Sequence, residues 1–382
     1  MGAIKALING RIFTSEKVVC QHALLIENGL IVDLVPNHSM PTIEDSYDLK
    51  GGLLAPGFID THVNGGGGEL LNHQPSAKSL QTIAQAHRKY GTTSLIPTLI
   101  TDTWVQMVNA VAAVAGAVEL GVPGILGIHL EGPYLNEERK GVHPPAHIRI
   151  PTDCEDLSDL FYAFPDGLIK LMTLAPERVN PGFIQKLVAD GIIVSAGHTG
   201  ASYEQMETAL ADGVRGFTHL FNTMNPMTSR EPGVVGAALD DIDSWCSLIV
   251  DGHHVHPVTL RQAIKAKAKG KMILVTDAIH TVGEDSGLFD LMGRPIVSQN
   301  GKVTTLDGIL AGSDLDMACA VRNTVEKVGL ELEEALRMAS LYPAQFLKLD
   351  QKIGRIANGF QADLVLIDDN LVVQQTWIKG EL

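Results

Sequence analysis

Four residues far apart in the chain, Glu131, His198, His219 and Asp277, each follow a short apolar run of β type. Two neutral imidazoles and one carboxylate form a ligand set that binds a divalent ion and leaves a position for water. Such an ion lowers the pKa of its water to about 7. A carboxylate that the ion does not consume can then act as base and acid. The pattern therefore predicts Glu131, His198 and His219 as metal ligands and Asp277 as the proton shuttle. Taken singly, each has a blander reading: a histidine at a strand end is commonly a hydrogen-bonded structural residue, and an aspartate there commonly caps a helix. It is the joint arrangement that points to a metal. By strand alternation His129 faces the same way as Glu131 and is expected in the interior below the site. His22, His38, His73 and His87 are expected on the surface.

The elements that must position these residues alternate. Eight β-type runs can be read: Phe58–Asn64, Thr93–Ile100, Ile125–Glu131, Ile169–Ala175, Ile192–His198, Phe217–Asn222, Ser247–Asp251 and Met272–Asp277. Helical patterns lie between several of them. Ser79–Tyr90 ends at Gly91, a segment capped by Asp102 runs to Leu120, Ser202–Ala211 ends near Gly213, and Pro257–Lys269 starts on a proline. Strands alternating with helices predict a parallel (β/α)8 barrel of the triose-isomerase type, whose active site lies at the C-terminal strand ends. No Gly-x-Gly-x-x-Gly follows the first strand, which argues against an open doubly wound sheet. Both termini read as short strands around Asn9-Gly10, Asn28-Gly29 and Asp368-Asp369-Asn370 turns. A small β-sandwich domain is expected from residues 1–54 and 351–382, flanking a barrel over 55–350. Gly283–Leu310 reads as a β-hairpin insertion, and Gly65–Gly68 as a flexible loop over the mouth rather than a nucleotide loop, since no Lys-Ser/Thr follows it.

Composition narrows the class. The 382 residues are 45% hydrophobic and 19% charged, an ordinary globular balance. The formal charge of -15 disfavours broad binding to nucleic acid or an anionic membrane, so an anionic substrate would need a local cationic site. Cys20, Cys154, Cys246 and Cys319 form no Cys-x-x-Cys pair, against both a thiolate zinc site and a disulfide framework. A reducing cytoplasm is the expected compartment. The first residues carry no apolar signal-peptide core, and Ala6 breaks the myristoylation pattern. The apolar stretch Ala110 to Val122 is interrupted by Glu119 and Gly121 and is too short to span a bilayer.

The segments also carry a resemblance. Pro56-Gly57-Phe58-Ile59-Asp60 followed by His62-x-Asn64-Gly65 resembles the first-strand signature of the amidohydrolase superfamily. His129-Leu130-Glu131-Gly132-Pro133-Tyr134, Lys140-Gly141-Val142-His143, Ser195-Ala196-Gly197-His198, His219-Leu220-Phe221-Asn222-Thr223-Met224, Arg230-Glu231-Pro232-Gly233, Asp251-Gly252-His253-His254-Val255 and Thr276-Asp277-Ala278 resemble its N-acetylglucosamine-6-phosphate deacetylases, in order over nearly the whole chain. The resemblance implies a barrel with a small β-sandwich, a homodimer, and hydrolysis of N-acetylglucosamine 6-phosphate to glucosamine 6-phosphate and acetate. It implies metal roles for Glu131, His198 and His219, with one divalent ion per subunit. Zinc is expected, and iron, cobalt or manganese are alternatives. Asp277 becomes the catalytic acid and base, and His143 the donor to the acetamide oxygen.

The same resemblance places substrate contacts at Val142, His143, Asn222, Thr223, Arg230, His254, Leu310, Ala311 and Gly312, with Arg230 and His254 expected to reach the neighbouring subunit's site. The sister reading is deacetylation of the galactosamine epimer. A reading from another class, a catalytically dead binding relative, is set against by the presence of all three ligands and Asp277. One departure matters. Many amidohydrolases have His-x-His after the first strand, whereas Asn64 holds the second position here. One tight metal is therefore expected, with His62 as a candidate ligand for a weaker second ion or a hydrogen-bonding residue within the site.

Overall fold

The computed structural model describes residues 4–151, 160, 163–285 and 287–382; Cys154 lies outside them. Eight parallel strands form one sheet in chain order: Phe58–Val63, Thr92–Ile100, Ile128–Glu131, Ile169–Leu174, Ile193–Ala196, Val214–Phe217, Trp245–Ile249 and Met272–Val275. They are the first to eighth barrel strands below. The eighth meets the first at the mouth, where the Asp277 amide donates to the His62 carbonyl at 3.0 Å and the Asn64 amide to the Ala278 carbonyl at 2.8 Å. The expected (β/α)8 architecture is thus present as a nearly closed barrel. Its strands are buried on both faces, as a parallel sheet wrapped in helices requires.

Helix starts follow local chemistry. Ala77–Arg88 and Tyr203–Ala211 begin with reciprocal capping boxes, Ser76 with Ser79 and Ser202 with Gln205. The helix Trp104–Glu119 is capped by Thr103 rather than by Asp102. The Asp102 carboxylate instead accepts from the Thr103 amide and from Asn72. No described helix is long and apolar enough to cross a membrane.

Strands from both ends of the chain build a separate seven-stranded sheet. Its order runs Val373–Trp377, Leu364–Ile367, Leu53–Pro56, Lys5–Phe13, Val18–Glu27 and Leu30–Pro36, with Asp45–Asp48 paired to Lys5–Phe13. Leu7, Leu24, Ile31, Leu54, Leu364 and Trp377 pack in one apolar cluster of this sheet, and Ala6, Ala23 and Leu25 in another.

The insertion, the glycine run and His87 also depart from expectation. The insertion after the eighth strand is a three-stranded antiparallel sheet, Gly287–Leu291, Arg294–Gln299 and Lys302–Thr305, not a single hairpin. Two tight turns, Met292-Gly293 and Asn300-Gly301, have positive φ at both residues, the geometry that matches strand twist. Gly65–Gly68 is a packed turn rather than a loose loop. Gly65 and Gly66 pair with Leu70 and Glu69, and the Gly67 and Gly68 amides donate to the Val282 and His280 carbonyls. A Cβ at Gly65 would stand 2.3 Å from the Glu69 carbonyl oxygen, so these glycines serve close backbone approach.

His87 is the third correction. It is fully buried and bonds the Gly65 carbonyl through Nε2 at 2.9 Å. Burial pushes its imidazole down to about 4, only partly offset by that bond. An unfolded histidine protonates near pH 6.5, so the buried neutral ring contributes stability above that pH, which is lost as pH falls through about 4. The full linkage is on the order of 3 kcal/mol. His87→Gln, which keeps a donor for Gly65, should therefore show a shallower loss of stability between pH 6.5 and 4. Denaturant midpoints measured across that window check this, and parallel wild-type and variant curves would refute it.

Candidate active site

The barrel interior is polar below its mouth. The His129 ring bonds the Thr98 hydroxyl at 3.1 Å and the Thr173 hydroxyl at 2.7 Å, and Thr173 continues through Thr218 to Ser195. Burial, reinforced by His62, pushes His129 well below its usual range, which suits a neutral interior residue.

Above this layer the predicted residues meet. Glu131 Oε1 lies 3.3 Å from His198 Nε2 and 3.1 Å from His219 Nε2, and the two nitrogens are 3.2 Å apart. Metal–nitrogen and metal–oxygen bonds of about 2.0–2.1 Å in tetrahedral geometry place donors roughly 3.3 Å from one another. The donor set therefore fits a single small divalent ion. Glu131, His143 and His198 also offer donor atoms within 4.8 Å of each other. His143 Nε2, however, faces the other carboxylate oxygen, Oε2, at 3.5 Å, whereas His198 and His219 share Oε1 at 3.3 and 3.1 Å. His198 Nδ1 donates to the Arg139 carbonyl at 2.8 Å, which leaves Nε2 as the lone pair. Burial lowers the His219 pKa, so its imidazole is neutral as a ligand must be.

Asp277 stands beside this trio. Its Oδ1 accepts from Asn64 Nδ2 at 2.7 Å and lies 3.1 Å from His62 Nε2. Burial alone would raise its pKa; the charge and hydrogen bond of His62 overcome this and hold it below the usual value. The same balance, burial against His62 and three imidazole hydrogen bonds, holds Glu131 well below the carboxylate range. Both are anions at neutral pH. His62 Nε2 lies 3.4 Å from Glu131 Oε2, under the site rather than in the cavity wall.

The backbone is bent to make this arrangement. His198, His219 and Asp277 have φ of 48°, 36° and 52°, a left-handed region that costs non-glycine residues about 1–3 kcal/mol each. Phe221 and Thr223 share it, at 80° and 54°. This is why the expected sixth strand over Phe217–Asn222 is displaced: the strand is Val214–Phe217, and the residues from His219 onward turn off its end. The turns aim side chains at the axis instead of continuing the ladder.

A cavity of about 420 Å³ opens above the cluster. Its wall includes Val142, His143, Asn222, Thr223, His254, Leu310, Ala311 and Gly312, together with Glu131, His198, His219 and Asp277. Arg230 is exposed and does not line this cavity. The His143 ring is set by Thr101, whose amide donates to Nδ1 at 3.3 Å with its hydroxyl 2.9 Å from the same atom. A backbone N–H can only donate, so Nδ1 is the acceptor and Nε2 carries the hydrogen.

Two supporting residues escaped the sequence reading, and a third was read only as part of a motif, without its role. Thr101 is one. Glu177 is another: its carboxylate accepts from Asn136, the Gly200 amide and the Thr199 hydroxyl, fixing the turn that presents His198. Asp251 is the third, bonded to His254 Nδ1 at 2.6 Å. An aspartate that bonds its own backbone two residues on is an Asx-turn signal, and Asp251-Gly252-His253-His254 carried it.

The chain matches the family described as Amidohydrolase family over residues 53–382, and the NagA composite domain over residues 5–54. It is 43% identical to N-acetylgalactosamine-6-phosphate deacetylase of Shewanella sp. (strain ANA-3), over 97% of this chain and 94% of that protein. It is 36% identical to N-acetylglucosamine-6-phosphate deacetylase of Haemophilus influenzae, over 98% of each. The crystal structure of N-acetylglucosamine-6-phosphate deacetylase from Pasteurella multocida superposes with a TM-score of 0.95, at 36% identity and 99% coverage of both chains.

Proposed function

The chain belongs to the amidohydrolase family, and from that premise we propose that it hydrolyses N-acetylglucosamine 6-phosphate to glucosamine 6-phosphate and acetate. The observation that carries this reading is the pairing of a metal-sized donor trio with an ionised carboxylate and an imidazole N–H at the floor of one cavity.

Glu131, His198 and His219 would hold one divalent ion, zinc in this reading with iron, cobalt or manganese as alternatives, which supplies Lewis acidity to water and to the acetamide carbonyl. Asp277, ionised at neutral pH, takes a proton from the attacking water as the new C–O bond forms. It returns that proton to the sugar nitrogen as the C–N bond breaks, so the amine leaves neutral. His143 Nε2–H donates to the carbonyl oxygen as negative charge develops there, an effect typically worth about 3–4 kcal/mol. No acyl-enzyme is required. Val142, Asn222, Thr223 and Leu310–Gly312 line the space for the sugar. His62 hydrogen-bonds within the site or helps a second, weaker ion.

A cytoplasmic homodimer completes the reading, in which Arg230, exposed on its own subunit, reaches across to the partner's phosphate position. Arginine suits that task because its planar fork makes two parallel bonds to phosphate.

The galactosamine epimer is the second reading, favoured by the 43% identity to the Shewanella enzyme. Acetate release measured side by side on the two 6-phosphates decides between them. The expected result is a higher kcat/KM on the glucosamine epimer. A higher value on the galactosamine epimer transfers the assignment, and release from neither removes it.

A further inference from the structure

His254, expected at the neighbouring subunit's site, instead lines its own subunit's cavity, which it enters from the turn after the seventh strand, and that turn is built around one carboxylate. Asp251 Oδ1 accepts from the His253 amide at 2.8 Å and the His254 amide at 2.9 Å. Its Oδ2 accepts from His254 Nδ1 at 2.6 Å. Both side chains are nearly buried, at 4% and 7% exposure. An ionised carboxylate can only accept, so Nδ1 carries a hydrogen and Nε2 is the ring's remaining polar atom.

The charge in the cavity gives this pair its meaning. Among the described residues, the wall contains no lysine or arginine. Glu131 and Asp277 are anions at its floor, and His143, His198 and His219 are engaged with Glu131. Within one subunit, His254 is therefore the wall group left to carry positive charge toward an anionic ligand. Such a local cation works against the chain's formal charge of -15, beside the Arg230 that the proposed dimer brings to the phosphate position from across the interface.

We propose that Asp251 is a positioning residue for anion recognition, holding His254 so that its Nε2–H faces the cavity as a cationic donor to the phosphomonoester end of the substrate. The inference rests on the deacetylase reading for the identity of that substrate. Burial alone would push the His254 imidazole down; the Asp251 carboxylate, by hydrogen bond and charge, overcomes this, with a weaker contribution from Asp277, and holds it above its usual value. Lys327 is the charged group on the far side of the turn, 3.5 Å from where a Cβ on Gly252 would stand. A donor that is both charged and aimed in advance makes a stronger bond to phosphate than a neutral, freely turning imidazole.

Asp251→Asn keeps the side-chain shape and removes the charge. KM for the 6-phosphate should rise tenfold or more at pH 7.5, while kcat falls less than threefold. Turnover of the unphosphorylated N-acetylhexosamine should fall less than threefold. In the wild type, KM stays low up to a pH above the ordinary histidine range; in the variant its rise should begin at a lower pH. In a His254→Gln background, adding Asp251→Asn should change KM no further. Equal losses on the two substrates, an unshifted KM profile, or a full additional loss in the double variant would each overturn the proposal.

Calorimetry with inorganic phosphate separates this inference from the deacetylase reading. Tenfold weaker binding to Asp251→Asn than to wild type supports the pair even if wild type releases no acetate. Equal binding to both, or no binding to wild type, defeats it.

Discussion

Asp277→Asn is expected to fold, to keep its metal and to lose a hundredfold or more in kcat. The geometry explains why the loss should fall on turnover. Asp277 Oδ1 takes one hydrogen bond from Asn64 and faces His62 Nε2, and an amide oxygen can occupy the same position. An amide cannot accept a proton from water or return one to a departing amine. Positioned acid–base groups contribute about 10²–10⁴ in rate. Substrate contacts in the cavity wall are untouched, so KM should move little. Acetate release measured together with metal content tests this. Near-normal kcat with metal retained would remove Asp277 from the proton path.

How the site could be foreseen depends on where each residue's constraint lies. Glu131, His198, His219 and Asp277 were legible because each breaks an apolar strand at its C-terminal end, where a barrel gathers its chemistry. The distances between them were not, since they depend on the φ of 36° to 52° at His198, His219 and Asp277, and nothing in a local pattern demands a left-handed histidine. The misplaced sixth strand has the same origin: Phe217–Asn222 reads as extended, but function bends it.

His87 is different, because its burial was readable. Leu80, Ile83, Ala84 and His87 fall on one helical face, and the apolar members of that face mark it as inward. Gly65–Gly68 needed tertiary knowledge; only the approach of Glu69, His280 and Val282 distinguishes a packed turn from a slack one. Thr101 and Glu177 act through hydrogen bonds to residues 42 and 22 positions away, a range at which periodicity is silent.

The ligand set makes the second large prediction. Glu131 is the only one of the three donors that brings negative charge, and its Oε1 is the corner shared by both imidazoles. Glu131→Gln replaces a carboxylate with an amide that is a poor ligand. Metal content should fall to background and activity by a thousandfold or more, about 4 kcal/mol of barrier. Chelation of the wild-type protein should produce the same loss, reversible on adding zinc. It should also lower Tm, since a tightly held ion at a thousand times its Kd stabilises the fold by about 4 kcal/mol. Two further substitutions separate the alternative cages. If the ion sits among Glu131, His198 and His219, His219→Gln should lose metal, whereas His143→Gln should keep it and lose kcat alone. The opposite pattern would move the ion toward His143. His143 would then be a ligand rather than an oxyanion donor, and the hydrogen bond from the Thr101 amide, which leaves the hydrogen on Nε2, argues against that.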